Sequence, residues 1–231
     1  AIWGVAAHPL VDGDRLYFGD WNGIVYAYDL DAGETAWTAH TFDERPYATF
    51  GALAAGFAIH DDLLFFGSRN TELQALDTSD GSVRWSYVEE TGGWISGDPV
   101  VRDGVLYIGG SDNHELFAFD ALTGAKAWTF EFAFNNFSQP LIHGDAVFLT
   151  TGDAYSVYGG GIGRGYIYAV DRSDGSLLNV YELEGNSFSS PILAEGLLFV
   201  ANEAGVLQAF DVEAFLGAEF DPADIGYDAI E

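Results

Sequence analysis

The 231-residue sequence contains no cysteine, which excludes a disulfide framework, a cysteine-based zinc site and thiol chemistry. Positive charge is almost as scarce: eight basic residues face 36 acidic ones, a formal net charge of −28 with a pI near 4.1. Such a surface repels nucleic-acid phosphates and anionic membranes, so both are set aside as partners. No apolar run reaches the ~18–20 residues of a spanning helix. The chain opens on Ala1 without a signal-peptide pattern, as expected of a processed product or of a piece of something longer.

What is present is apolar and aromatic. At 48% hydrophobic and 16% aromatic the chain can bury a sizeable core, which rules out disorder driven by low hydrophobicity. The charge has its own reading. Lys126 is the only lysine and Asp outnumbers Glu. Self-repulsion opposes a compact state in dilute buffer, whereas molar salt screens it to within ~3 Å. The composition predicts a halophilic source.

The sequence repeats. AYDLDAGETAW from Ala27, ALDTSDGSVRW from Ala75, AFDALTGAKAW from Ala118 and AVDRSDGSLLN from Ala169 share A-x-D, then Gly four residues after the Asp and Trp eight after it. Asn179 replaces the last Trp, and a fifth copy starts at Ala209-Phe210-Asp211 before diverging. Upstream of each lies a second block: HPLVDGDRLYFGD, DPVVRDGVLYIGG, QPLIHGDAVFLTT, SPILAEGLLFVAN and the proline-free FAIHDDLLFFGSR. Alternation around Leu16-Tyr17-Phe18 is strand-like, and Asp-Gly and Glu-Gly pairs are tight-turn chemistry. Each unit reads strand, tight turn, strand, variable loop, strand, Gly turn, Trp-bearing strand. Four short antiparallel strands in ~43 residues make a β-propeller blade. The expected blades run approximately over 7–45, 50–92, 96–134, 138–184 and 188–220. Residues 213–231 form an acidic tail whose Phe215, Leu216 and Phe220 suit a degenerate last strand or a short helix.

The A-x-D-x-x-x-G-x-x-x-W segment resembles the tryptophan-docking motif of the PQQ-like repeat propellers, a superfamily holding both quinoprotein dehydrogenases and non-catalytic assembly propellers. The resemblance covers roughly residues 7–211. It implies that Trp37, Trp85 and Trp128 cover seams between blades, and that the ring closes with seven or eight blades, of which five are visible. By spacing, Trp3 aligns with Trp94 in a crossing loop, so the chain is expected to start inside such a loop. The small residues Ala7, Gly97, Ser138 and Ser189 are expected to begin the innermost strands.

Propeller topology sorts the loops by face. The strand 1–2 and 3–4 turns are short and regular; the strand 2–3 loops and blade crossings carry the variation. A binding rim is therefore expected from Trp21, Arg69, Trp94, Asn113, His114, Asn136, Tyr155, Tyr158, Arg164, Asn186 and Asn202. Residues 153–165 insert a Tyr- and Gly-rich flap into the fourth blade. Its glycines lack the helix and Lys-Ser/Thr pair of a phosphate loop. The five histidines share no ligand spacing, and no calcium loop organises Asp112-Asn113 or Asn202-Glu203. The main expectation is a binding or assembly scaffold with no resident cofactor and no metal site, its partner a protein or a carbohydrate, working extracellularly, at the cell surface or in a periplasm. The alternative implied by the resemblance is a PQQ-dependent alcohol dehydrogenase, with the quinone on a Trp such as Trp21 or Trp94, Arg45, Arg69 or Arg164 at its carboxylates, and Ca²⁺ beside it. The vicinal cysteine pair of many such enzymes cannot exist here.

Overall fold

The structure is a computed structural model that describes residues 4–5, 7–41, 53, 55–155 and 163–219. Trp3 and Tyr158, most of the crossing around Arg45, the middle of the flap, and Phe220 lie outside the described residues.

Among the described residues the strands form five antiparallel sheets, each a meander in chain order. The first is β1 (Leu10–Asp12), β2 (Arg15–Gly19), β3 (Ile24–Asp29) and β4 (Glu34–His40); the second is β5 (Ala58–His60), β6 (Leu63–Gly67), β7 (Glu72–Asp77) and β8 (Val83–Val88). The third holds β9 (Val100–Arg102), β10 (Val105–Gly109), β11 (Glu115–Asp120) and β12 (Lys126–Glu131). The fourth holds β13 (Leu141–His143), β14 (Ala146–Gly152), β15 (Gly165–Asp171) and β16 (Leu177–Leu183). The fifth has β17 (Ile192–Ala194), β18 (Leu197–Ala201) and β19 (Leu207–Asp211), followed by a six-residue helix α1 (Val212–Gly217). The fold is the all-β propeller arc that the repeats predict.

The turn chemistry explains the meander. Asp103 and Gly104 join β9 to β10 with φ of 52° and 78°, the mirror-image turn whose twist matches paired strands. In each of the first four blades the pairing of the last two strands slips by one residue just after the alanine of A-x-D, at Ala27, Ala75, Ala118 and Ala169. The Asp then closes the turn: Asp29 accepts from the N–H groups of Asp31 and Ala32, at 3.0 and 2.8 Å.

The core has no single centre. Among the described residues it falls into four apolar clusters, one in each seam between adjacent blades. Leu64 and Phe66 of β6 face the first blade while Leu63 and Phe65 of the same strand face the third. Inner strands are thus buried on both faces, which is why β6 and β14 read as continuous apolar runs rather than alternating ones.

Each seam is locked by the docking tryptophan. The indole N–H of Trp37 donates to Thr78 O, that of Trp85 to Ala121 O and that of Trp128 to Arg172 O, at 2.9, 2.9 and 3.1 Å. Each acceptor belongs to the next blade's last turn, one residue past its Asp. The turn glycines Gly81, Gly124 and Gly175, at φ 71–78°, lie against these rings, where a Cβ would approach ring carbon within 2.5–2.8 Å. The motif's Gly is therefore fixed twice, by its φ and by the neighbouring blade's ring.

Candidate functional site

The strand 2–3 loops and the blade crossings interlock through backbone hydrogen bonds. The first loop bonds to the crossings on both sides of it, Trp21 N to Gly4 O at 3.0 Å and Thr41 N to Gly23 O at 2.9 Å. The crossing into the third blade is held the same way, Ile95 N to Ser68 O at 3.2 Å and Ser111 N to Trp94 O at 2.8 Å. Further round, Asn135 and Gly152 exchange two bonds of 3.0 Å, and Glu203 N donates to Asn186 O at 2.8 Å. Each of these loops is thus tied by its backbone to a neighbouring segment.

The residues expected on this rim divide by role. The Arg69 guanidinium lies 5.0 Å from the Trp94 ring centroid, joining a strand 2–3 loop to the following crossing. Asn113 and His114 line a cleft of about 460 Å³ with Thr91, Gly93, Asp112, Glu115 and Glu131. Trp21 and Tyr155 are the open aromatics, 48% and 70% exposed. Trp21 belongs to the first blade's loop, where its backbone N–H donates to Gly4 O. Arg164 is clamped by Glu182, at 2.8 and 3.1 Å, and by the Tyr166 hydroxyl.

Three of the amides expected on the rim make bonds within the fold. Asn136 is fully buried and its Nδ2 donates to Ser138 Oγ and Thr150 O, both at 2.8 Å. Its Oδ1 fills the space over Gly109, where a Cβ would collide with it. Asn186 is equally buried, accepting from Asp153 N at 2.8 Å and donating to Asp153 O. Asn202 Oδ1 accepts from Val206 N at 3.0 Å. In the first blade Asp20, fully buried, caps the equivalent loop through Asn22 N and Ile24 N. In Asp20, Asn186 and Asn202 a short side-chain oxygen accepts from loop N–H groups, whereas Asn136 acts through its donor Nδ2.

The cleft's electrostatics follow from burial. Burial, reinforced by Glu89 and Glu131, pushes the Glu115 carboxyl up, although the Lys126 charge and Asn113 oppose this. Burial pushes His114 down, with Asp112 opposing, and its backbone sits at φ 54°. Glu89 shows the reverse balance. Its burial is outweighed by bonds from Thr91 N, the Tyr87 hydroxyl and Thr91 Oγ1, and it is held low. Among the described residues no group of three or more His, Asp or Glu is arranged to hold a metal ion.

A family model described as outer membrane protein assembly factor BamB matches residues 21–162. The chain belongs to this family. It is 31% identical over 133 residues to the BamB of Shewanella oneidensis, covering 55% of this chain and 33% of that protein. To the BamB of Yersinia pestis it is 26% identical over 222 residues, covering 89% of this chain and 54% of the relative. It therefore spans between a third and about half of the length of these BamB proteins. Among solved structures, the quinohemoprotein alcohol dehydrogenase ADHIIG of Pseudomonas putida superposes with a TM-score of 0.73 at 18% identity, over 92% of this chain and 41% of the enzyme. That likeness establishes the shared propeller fold, and a fold alone does not carry a function.

Proposed function

We propose that the chain is a binding scaffold, acting outside the cytoplasm, that holds a protein partner at the rim of strand 2–3 loops and crossings. The observation that carries this is the pairing of exposed and half-buried anchors with fixed backbone. Exposed Trp21 and Tyr155 and the half-buried Arg69–Trp94 stack sit on loops bonded to neighbouring segments, so little ordering entropy is lost when a partner arrives. BamB relatives, named as assembly factors, support the same reading. No resident cofactor enters it. Arg69 stacks on Trp94 and Arg164 is bound to Glu182, which leaves neither poised for the carboxylates of a quinone.

The test places a photo-crosslinking phenylalanine at position 21 in living cells. One discrete protein adduct is expected, absent from a control site on the opposite rim. A Trp21→Ala, Trp94→Ala double variant should abolish partner binding while keeping its unfolding temperature nearly unchanged. Protein-bound quinone absorbance after adding PQQ and Ca²⁺ would establish the dehydrogenase reading instead. Selective glycan-array binding without a protein adduct would make the partner a carbohydrate.

A further inference from the structure

The repeat allows the seams to be compared position by position. In the first blade the docking Asp29 pairs with Arg15, on β2 two residues before Tyr17. In the second, Asp77 pairs at 2.9 Å with Arg84, on β8 one residue before Trp85. The two arginines come from different strands and reach the same carboxylate of the repeat. In the third blade the corresponding positions are Val105 and Ala127. Asp120 accepts from the Thr123 N–H and hydroxyl, and among the described residues no basic group pairs with it.

A cleft opens where those arginines are missing. It lies between the third and fourth blades, on the rim opposite the crossings, with a volume of about 500 Å³. Val105, Ala127, Tyr107 and Trp128 form one wall, and Asp145 and Asp171 stand across from them. Neither aspartate has a basic partner among the described residues. Arg172, which also lines the cleft, is paired with Asp103 at 2.8 Å. Tyr107 is wholly buried, and its hydroxyl lacks a hydrogen-bond partner. The preceding seam has Phe65 at that position, with no hydroxyl to satisfy.

We propose that this seam cleft receives an arginine side chain presented by a partner protein. The guanidinium lies between Asp145 and Asp171, and its methylenes cover Val105, Ala127 and the edge of Trp128. Arginine fits better than lysine because a planar fork spans two carboxylates while stacking on aromatic rings. The site is independent of the crossing rim, so either proposal can fail without the other.

The test follows the indole N–H signals of Trp128, Trp37 and Trp85 by NMR during titration with N-acetyl-arginine-methylamide, in about 0.5 M KCl to screen the general acidic surface. A saturable shift confined to Trp128 is expected. The lysine analogue should bind about tenfold more weakly, and the neutral citrulline analogue should produce no shift. Free L-arginine should bind more weakly than the capped form, because its α-carboxylate meets the same aspartates. Ala127→Arg copies Arg84 into the third blade and should block the shift without lowering the unfolding temperature. Asp145→Asn, in an exposed turn, supplies the second variant and should weaken binding about tenfold. Equal shifts at all three indoles, undiminished binding to both variants, or citrulline binding like arginine would overturn the proposal. Tighter binding of free arginine would also overturn it, by making the ligand a metabolite.

Discussion

Asn179 donates its side-chain N–H to the carbonyl of Phe215 at 2.5 Å, in a buried position. In the three preceding blades the same repeat position is the docking tryptophan, whose acceptor lies one residue past the next blade's Asp. Here the acceptor lies four residues past Asp211, because the chain continues into α1 instead of a tight turn. Asp211 keeps its role at the start of that segment, accepting from Ala214 N at 2.9 Å as the helix N-cap.

This pairing makes position 179 intolerant in both directions. Asn179→Ala leaves the buried Phe215 carbonyl unpaired and should cost about 1–3 kcal/mol. Asn179→Trp restores the repeat consensus against a helix that has no room for the ring, and should cost about as much through overpacking. Urea unfolding monitored by far-UV circular dichroism reads both. A stabilised Asn179→Trp protein would show that α1 gives way to a turn.

The first seam yields a coupled prediction. Trp37→Ala should destabilise by about 3–5 kcal/mol, since the ring is 9% exposed. Gly81→Ala should cost at least about 1–2 kcal/mol from its left-handed φ alone, before the contact with the ring is counted. The double variant should lose clearly less than the sum, because the added methyl no longer meets an indole. Strict additivity in a double-mutant cycle would deny the contact.

The repeat made the blades legible because each of its residues does local work that sequence displays: Asp closes a turn, Gly adopts positive φ, and the spacing to Trp is fixed within one hairpin. What that spacing does not carry is the partner across the seam. Gly81 reads as a turn residue, although the indole above it arrives from 44 positions earlier in the chain. The internal bonds of the rim amides are hidden for a related reason. An asparagine that caps a loop and one that greets a ligand have the same composition and the same loop setting, and nothing in the sequence displays that Asn136 and Asn186 are fully buried while His114 is half-buried. The seam cleft is subtler still, since Val105 and Ala127 are noticeable only beside Arg15 and Arg84.

We propose that the protein is adapted to high salt, and its charge then sets the response to ionic strength. At −28 the folded state carries repulsion that extended chains relieve, and about 1 M salt shortens its range to ~3 Å. The unfolding midpoint measured by calorimetry should climb steadily from dilute buffer to molar KCl. A level or falling midpoint would remove the salt-adaptation reading.

The cleft histidine gives a pH dependence with a definite sign. Burial holds His114 below its ordinary value in the folded state, so the unfolded chain binds more protons as pH falls. Its contribution to stability is therefore present above the unfolded histidine value near 6.5 and is lost as pH drops toward the folded one. His114→Asn, which tolerates the positive φ, should flatten that part of the stability profile between about pH 5 and 7. An unchanged slope would assign the acid sensitivity to other groups.

Because the apolar core of the described residues is divided among four seams, these five blades are joined pairwise with no common keystone. Every blade holds its neighbours, and none holds the whole. Damage at one joint should loosen the two blades that share it and leave distant ones protected, so hydrogen exchange would decay along the arc with distance from the lesion. The same arrangement means that a blade can be added or removed by remaking one joint, without redesigning an interior.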